Sequence, residues 1–599
     1  AYDFGGTVRD YATHQSRKTF NQYWSFKSVA TSNWKIKRNH HISLMLGMEI
    51  NNRYQDYLYG ERLGGSNSNL ALSGGDATRD TNDGYTTTIR FSSMFGRFTY
   101  NYKNRYMLTG TLRRDGSSRF ARGKRWGTFP SAAVAWRISE EPFWNGLSET
   151  INSLKVRAGF GIVGNANLAD NTYQPNFSSL ESNFGTSYKT ANMPNYDGLT
   201  WEKTRSWNVG LDLCLWDNRV EFIFDAFQKN TKDLLLQTAL PYYSGTILTG
   251  GTSRQWANVG SMRNEGIELT LTAHPISKRN FKWKTSLTYS LVKNKITELN
   301  SEMGFIDKTL DFNTWGGETV TRTAVGHSVS QFYGFQVAGR INNAADFLRD
   351  NGDGTSTVTV ATPNYRVGTI VDNASASSLK TTIGDLLFKD NNGDGIIDQE
   401  DRTFLGSGLP KYTFDWNNTF TYKQFDLTLF FYGSIGGKVF NWTRRRMDDP
   451  SFFSGAASNK YLRVCNYARW AYYDGNTGND NVWNVYVAPG ADDSETRIDN
   501  QHTNYNSRVS DRYVEDASYL RLKNIVLSYR VPGKYIRPLH LQSLKLSANL
   551  QNIYTFTGYT GYDPEVGSQN GQYSMQGQGV LMYLSLIHIS EPTRRRGIS

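Results

Sequence analysis

The densest group of oxygen donors in the sequence is Asp390-Asn-Asn-Gly-Asp-Gly-Ile-Ile-Asp-Gln-Glu-Asp401. Oxygen-bearing side chains fall at positions 1, 3, 5, 9 and 12, namely Asp390, Asn392, Asp394, Asp398 and Asp401, with Gly395 at position 6. This is the spacing of an EF-type calcium loop, whose glycine makes the sharp turn. Position 7 supplies a backbone carbonyl, here that of Ile396. Ca²⁺ is a hard cation that takes about six to eight oxygens. The expected metal ligands are therefore Asp390, Asn392, Asp394, Ile396, Asp398 and Asp401, around a structural Ca²⁺. Position 12 is Asp rather than Glu, which shortens the reach for a bidentate contact. No helices flank the stretch, so it is read as a loop and not as an EF-hand domain. An Asx/Gly turn cluster that binds nothing has the same composition. A second stretch, Asp350 to Gly354, is too short for a site, and turn chemistry accounts for it.

No catalytic set accompanies this loop. None of the 8 histidines lies in an H-E-x-x-H or other metal spacing. His40 and His41 are adjacent, so on a strand they face opposite sides and cannot chelate jointly. No serine sits in G-x-S-x-G, and no phosphate loop is present. The carboxylate pairs Glu140-Glu141 and Asp448-Asp449 read as solvated loop charges. Cys214 reads as a bystander thiol. The expectation is that the chain is not an enzyme. Aromatic residues recur among Asn, Asp and Gly: Tyr242, Tyr243, Trp470, Tyr472, Tyr473, Trp483 and Tyr486. Such faces suit sugar rings or peptides, and loop packing explains them equally well.

The elements that must position these groups are strands. Side chains alternate between the two faces of a strand. In 208–216, Val209, Leu211, Leu213 and Leu215 oppose Asn208, Gly210, Asp212 and Cys214. In 266–273, Ile267, Leu269 and Leu271 oppose Glu268, Thr270 and Thr272. Similar alternation marks 283–291 and 544–551. The segment 519–531 keeps the pattern with one phase slip near Asn524, as a bulge gives. A soluble sandwich also alternates, but three features favour a transmembrane barrel. Strands run to about ten residues. Aromatic residues crowd strand ends, at Tyr100, Tyr102, Tyr106, Trp126, Phe129 and Trp136, as interfacial girdles do. Short and long connections alternate. Tight turns fall at Lys103 to Arg105, Asp217 to Arg219, Pro275 to Asn280, and Lys423 with Gln424, and are placed on the periplasmic side. The outer loops are then 115–129, 164–201, 230–258, 293–410 and 433–514.

Composition agrees with a folded, β-rich chain. The 599 residues are 14% aromatic, too rich for a disordered chain. The 2 cysteines exclude a disulfide scaffold and a thiolate zinc cluster. No apolar run reaches the roughly 18 residues of a spanning helix. The net charge of +12 is mild. It suits a surface of anionic lipid or lipopolysaccharide phosphates, and without a basic run or basic helix nucleic acid is not an expected partner. The beginning, AYDFGGTVRDY, has no signal-peptide pattern, so a mature start or a fragment is expected. From Leu584 the alternation stops. The tail 584–599, LSLIHISEPTRRRGIS, reads as a translated sequencing adapter and is left out of the fold.

Several strings together resemble the SusC/RagA family of TonB-linked outer-membrane transporters from Bacteroidetes-like bacteria. They are FGRFTYNYKNRYMLTGTLRRDGSSRF (95–120), RWGTFPSAAVAWRISEE (125–141), NVGSMRNEGIELTL (258–271), FKDNNGDGIIDQEDRTFLG (388–406), VEDASYLRLKNIVLSYRVP (514–532) and LSANLQNIYTFTGYTGYDPEV (546–566). The resemblance implies an all-β, antiparallel transmembrane β-barrel. Residues 1–583 would be part of a 22-stranded TonB-dependent transporter, incomplete at both ends, with the plug domain absent from this chain. It also implies the cell outer membrane, a SusD-like lipoprotein lid, and a TonB–ExbB–ExbD motor acting through the plug. The expected cargo is an oligosaccharide, with a peptide as the alternative. A reading from another class is a secreted, calcium-stabilised β-rich carbohydrate-binding protein.

Overall fold

The computed structural model describes residues 12–65, 80–168, 173, 176–182, 185–192, 198–239, 254–299, 304–310, 318–353, 356–359, 382–394, 397–448, 462–477, 481–492, 495–498, 506–565 and 580–581. Gly395, Ile396, Tyr242, Tyr243, Asp449 and the tail 584–599 lie outside the described residues. Two compact units divide the chain: Ala1–Asp217 with Asp225–Arg263, and Asn218–Phe224 with Asn264–Ser599. Within each unit the described long strands pair antiparallel with their neighbours in chain order.

The first unit holds β1 (Ala12–Ile36), β2 (His40–Gly65), β3 (Asp80–Tyr102) and β4 (Tyr106–Ser117). It continues with β5 (Trp126–Arg137), β6 (Ile151–Asn165), β7 (Glu202–Leu215) and most of β8 (Val220–Lys232). The second unit holds most of β9 (Ser261–Ser277), then β10 (Phe281–Glu298) and β11 (Tyr412–Tyr422). It ends with β12 (Phe425–Ile435), β13 (Tyr519–Arg530) and β14 (Lys545–Thr557). The strands exceed the expected ten residues: β1 has 25 and β2 has 26. Ten residues suffice to cross the hydrocarbon, so these strands extend well past it.

The short turns fall where the sequence placed them. Lys103 and Asn104 both have positive φ, 52° and 58°, as the two central residues of a type I′ hairpin require. Asn104 N–H donates to the Asn101 side chain at 2.9 Å, which ties the turn to β3. The turn expected within Pro275 to Asn280 is shorter, because β9 runs to Ser277. The phase slip near Asn524 is a β-bulge: the register of β13 shifts between Leu522 and Asn524 against both neighbours.

The two faces of the sheet differ in chemistry. On β4, Tyr106, Leu108 and Leu112 are exposed, while Thr109, Thr111 and Arg113 alternate with them and are half-buried. On the polar face Arg113 donates to Asp115 at 2.7 Å and to Ser93 Oγ at 2.9 Å. Arg157 on β6 donates to Asp212 at 2.8 Å and to Asp225 at 3.0 Å. Exposed apolar side chains opposite a satisfied polar face make a membrane barrel strand, not a soluble sandwich strand.

At the short-turn end, aromatic rings stack in series. Tyr102 and Tyr106 lie 6.3 Å apart, as do Tyr106 and Trp136. Two expectations need correction here. Phe129 is no girdle residue: it is 6% exposed and packs with Phe120, Leu168, Leu199, Trp201 and Leu235. Glu141 is not a solvated loop charge. It accepts from Tyr106 Oη at 2.6 Å, Trp136 Nε1 at 3.1 Å and Arg105 at 3.3 Å. Its partners come from other turns and strands, so its sequence neighbours could not reveal them.

The depth of a residue sets the cost of charging it. Val209 is 53% exposed on β7 and lies about 20 Å along the strand from its short-turn end, at about 3.3 Å per residue. Leu213 is about 7 Å from that end by the same measure. Val209→Arg is expected to destabilise the barrel by about 2–4 kcal/mol, and Leu213→Arg by about 0–1 kcal/mol. Equilibrium urea titrations of the complete protein in lipid vesicles give both values; equal costs would mean that the depth assignment is wrong.

Candidate functional site

The segments between β10 and β11, and between β12 and β13, are the long loops of the sequence reading. They fold into small sheets with their own cores. One four-stranded sheet joins Phe305–Leu310, Glu318–Ala324, Gln331–Gly334 and Thr403–Ser407. Its core contains Val320, Phe332, Phe440, Trp442, Val509 and Tyr513, drawn from both loops. A second core holds Ile341, Phe347, Ile383, Val482 and Val485. Backbone bonds join the loops directly: Phe335 N–H donates to Val509 O at 2.9 Å, and Val487 N–H to Asn342 O at 2.7 Å. Gly334 permits the approach, since a Cβ there would lie 2.5 Å from Val509 O.

Charge pairs reinforce these cores. Arg497 meets Asp385 at 2.9 Å, and Asn506 donates to the same carboxylate at 2.9 Å. Arg445 donates to Glu318 at 2.7 Å and to the Ser507 carbonyl. Arg322 is held by Asp307 at 2.7 Å and lies 3.6 Å from the centre of the Phe305 ring and 3.8 Å from that of Tyr333. Asp448, read in the sequence as solvated, is fully buried and accepts from Arg444 at 2.8 Å. Arg444 also donates to Glu515 at 3.1 Å. None of these pairs is visible in the sequence, because the partners lie 4 to 127 positions apart with no motif.

The 390–401 loop sits on this scaffold. Ile397 is buried with Phe335, Leu386 and Phe388. Asp401 is fully buried; its carboxylate accepts from the Asn391 and Asp398 backbone N–H groups, each at 2.8 Å. Asp390 accepts from Gly393 N–H at 2.6 Å. Asn392 accepts from Asp394 N–H at 3.0 Å and donates to the Asp394 carboxylate at 3.0 Å. Asp398 caps the short helix Gln399–Asp401 by accepting from Glu400 N–H at 2.7 Å. The loop thus directs many of its oxygens to its own backbone. Among the described residues, no three His, Cys, Asp or Glu side chains converge on a common metal position. Arg402, next in sequence, is half-buried and donates to the carbonyls of Thr319 and Tyr333. The Asp350 stretch is a turn, with Gly352 N–H donating to Asp350 at 2.9 Å.

The structure sorts the loop aromatics. Trp470, Tyr472 and Trp483 pack on the second core. Trp470 Nε1 donates to Ile383 O at 2.9 Å, and Trp483 Nε1 to Ser356 Oγ at 3.0 Å. Tyr473 differs: it is 66% exposed, and its ring lies 4.5 Å from that of Tyr486. Asn484 donates to the neighbouring Asp474 at 2.6 Å and fixes the edge of this shelf.

Glu515 ties three segments together. It accepts from Arg444, from Asn441 at 3.1 Å and from Thr560 Oγ1 at 2.7 Å. Burial alone would raise its pKa. The bonds from Thr560 and the Arg444 guanidinium outweigh burial and hold the carboxyl below its ordinary range.

A membrane β-barrel with folded loops at one end is the class these features define. A family model described as TonB dependent receptor-like, beta-barrel matches residues 1–367, and the chain belongs to that family. TonB-dependent receptor P3 of Formosa agariphila is 31% identical over 504 residues, covering 83% of this chain and 44% of that protein. TonB-dependent receptor SusC of Bacteroides thetaiotaomicron is 27% identical over 585 residues, covering 95% of this chain and 49% of that protein. The chain spans about half the length of the curated relatives it matches. The structure of the RagAB peptide transporter superposes with a TM-score of 0.70 at 20% identity, covering 96% of this chain and 55% of that one. The shared fold and family place the protein in the outer membrane, among SusC/RagA-type barrels. The reading as a secreted carbohydrate-binding protein falls with that placement.

The Glu515 arrangement has a pH signature. A carboxyl with a lowered folded pKa contributes stability above its unfolded pKa, about 4.3 for Glu, and loses it as pH falls through the folded value. Hydrogen-exchange protection of 438–448 and 514–516 is expected to fall on acidification below about pH 4.3. In Glu515→Gln that acid-dependent loss should shrink, while protection at pH 7 is already lower. An unchanged pH profile in the variant would sink this account.

Proposed function

We propose that the chain is the barrel portion of a TonB-dependent importer that takes up oligosaccharides. A SusD-like lipoprotein would lid the long loops, and TonB–ExbB–ExbD would supply the work through a plug. Transport here is binding followed by gated passage, with no covalent step. The observation that carries the cargo class is the exposed Tyr473 ring, tilted against Tyr486 at 4.5 Å, beside Asp474 and Asn484. A sugar ring offers an apolar C–H face to such a shelf and hydroxyls to the amide and carboxylate beside it. A peptide is the second reading, prompted by the fold shared with the RagAB peptide transporter.

Calorimetric titration of the complete transporter with panels of oligosaccharides and peptides tests this. Tyr473→Ala should weaken glycan binding about five- to tenfold, corresponding to the roughly 1–1.5 kcal/mol of an aromatic stacking face. Peptide binding without glycan binding would replace the first reading with the second. Unchanged glycan affinity in the variant would remove the shelf from the binding site.

We also propose that the 390–401 loop takes Ca²⁺. What supports it is the oxygen spacing and the fixed, buried Asp401 at its end. Asp390, Asn392 and Asp394 would have to turn oxygens from the loop backbone toward the ion, so binding should be accompanied by local rearrangement. At Ca²⁺ near 100 Kd the ion would add about 2.7 kcal/mol, and Asp394→Ala should abolish most of that gain. Equal melting temperatures in calcium and in chelator would eliminate the site.

A further inference from the structure

We propose that the Tyr473 shelf selects acidic oligosaccharides, with Arg469 as the ligand of a uronate carboxylate or a sulfate ester; the inference rests on the glycan reading of that shelf. Two short strands, Trp470–Tyr472 and Val485–Val487, pair antiparallel with Ala471 opposite Tyr486. Backbone bonds carry this ribbon one residue further at each end. Tyr473 N–H donates to Asn484 O at 2.9 Å, and Ala488 N–H donates to Arg469 O at 2.8 Å. Side chains alternate between the faces of such a ribbon. Trp470, Tyr472, Val485 and Val487 take one face, which packs on the second loop core. Arg469, Ala471, Tyr473, Tyr486 and Ala488 take the other, and on it Arg469 and Tyr473 are exposed.

This outer face has an aromatic end and a cationic end. At the first, Tyr473 leans on Tyr486. Ala471 and Ala488 carry only methyl groups, so the surface between the ends is low. At the second, the Arg469 guanidinium lies 4.8 Å from the centre of the Tyr467 ring. Its Nη2 donates to the Cys465 carbonyl at 3.4 Å. A ring face holds a guanidinium by its quadrupole, and one long hydrogen bond uses little of the donor capacity of the group. The arginines of the loop cores are different: Arg322, Arg445 and Arg497 each meet a carboxylate within the protein. Among the described residues, no carboxylate is paired with Arg469.

Charge selects the ligand and its direction. A guanidinium fork accepts a planar or tetrahedral oxyanion with two parallel bonds. Asp474 stands at the aromatic end, where it accepts from the Asn484 side chain at 2.6 Å and from Asn476 N–H at 2.8 Å. Its negative charge disfavours an acidic sugar there. A neutral ring therefore lies on Tyr473, and the acidic residue lies toward Arg469. The two are four positions apart in the sequence, about 13 Å along an extended chain at about 3.3 Å per residue. One sugar ring cannot reach both, so the ligand is an oligomer.

The test titrates oligogalacturonate, alginate oligomers and a sulfated oligogalactan into the complete transporter by calorimetry, each beside its carboxyl-reduced or desulfated counterpart. The tightest binder should be acidic and should exceed its neutralised counterpart about tenfold, as a hydrogen bond to a charged group provides. Loss of the preference on carboxyl reduction identifies a uronate, and loss on desulfation identifies a sulfate ester. In Arg469→Gln the ratio should fall to near one. Ala471→Glu places a carboxylate two positions from Arg469 on the same face and should lower the ratio likewise; it decides the matter if Arg469→Gln fails to fold, judged by heat-modifiable gel mobility. Glycan binding without a preference for the acidic member, or a preference that survives in both variants, overturns the Arg469 assignment and leaves the glycan reading standing. Absence of all glycan binding overturns the glycan reading, and this inference with it.

Discussion

Hydrocarbon offers no hydrogen-bond partner to a backbone N–H or C=O, so a chain that crosses it with strands must satisfy each strand from its neighbours. That requirement explains the order of the main sheet. Within each unit, neighbouring strands pair antiparallel in chain order, and tight turns such as Lys103 to Arg105 make the pairing local. Once the ladder is made, every side chain is assigned to one of two faces. The outward face carries Leu46, Leu108, Leu112, Val209 and Leu527, all exposed. The inward face carries Arg113, Asp115, Arg157 and Asp212, which pair across strands. A soluble protein would place these two sets the other way round.

The loops meet a different constraint. Ordering a long loop costs conformational entropy for every residue, and no membrane helps to hold it. This chain offsets that cost by building cores from both long loops at once, as Phe332, Phe440, Val509 and Tyr513 show. Buried arginines then bridge segments far apart in sequence. Such pairs add little net energy compared with apolar packing, but breaking one strands a buried charge. Their effect is to make one loop arrangement much better than its alternatives. The 390–401 loop benefits directly: Arg402 and Asp401 anchor it from below, while Asp390 to Asp394 stay near solvent.

Alternation and turn chemistry made the strands, their faces, the bulge at Asn524 and the short turns legible in the sequence, because these depend on residues one to four positions apart. Composition and six family-like strings made the barrel class legible too. The loop aromatics were visible as a group, but not divided into packed Trp470 and Trp483 and exposed Tyr473, because burial depends on which distant segment covers a ring. Glu141 and Asp448 were misread for the same reason. Their charge suggested solvent, but the partners of Glu141 come from another turn and from other strands, and Asp448 is buried and meets Arg444 one turn earlier on its short helix. The sequence by itself determined a sheet with one apolar and one polar face, since strand geometry follows from local sterics and hydrogen bonding. Only the tertiary structure decided which arginines are paired within the protein and which loop residues make a surface. Those outcomes depend on register between segments, which no local pattern encodes.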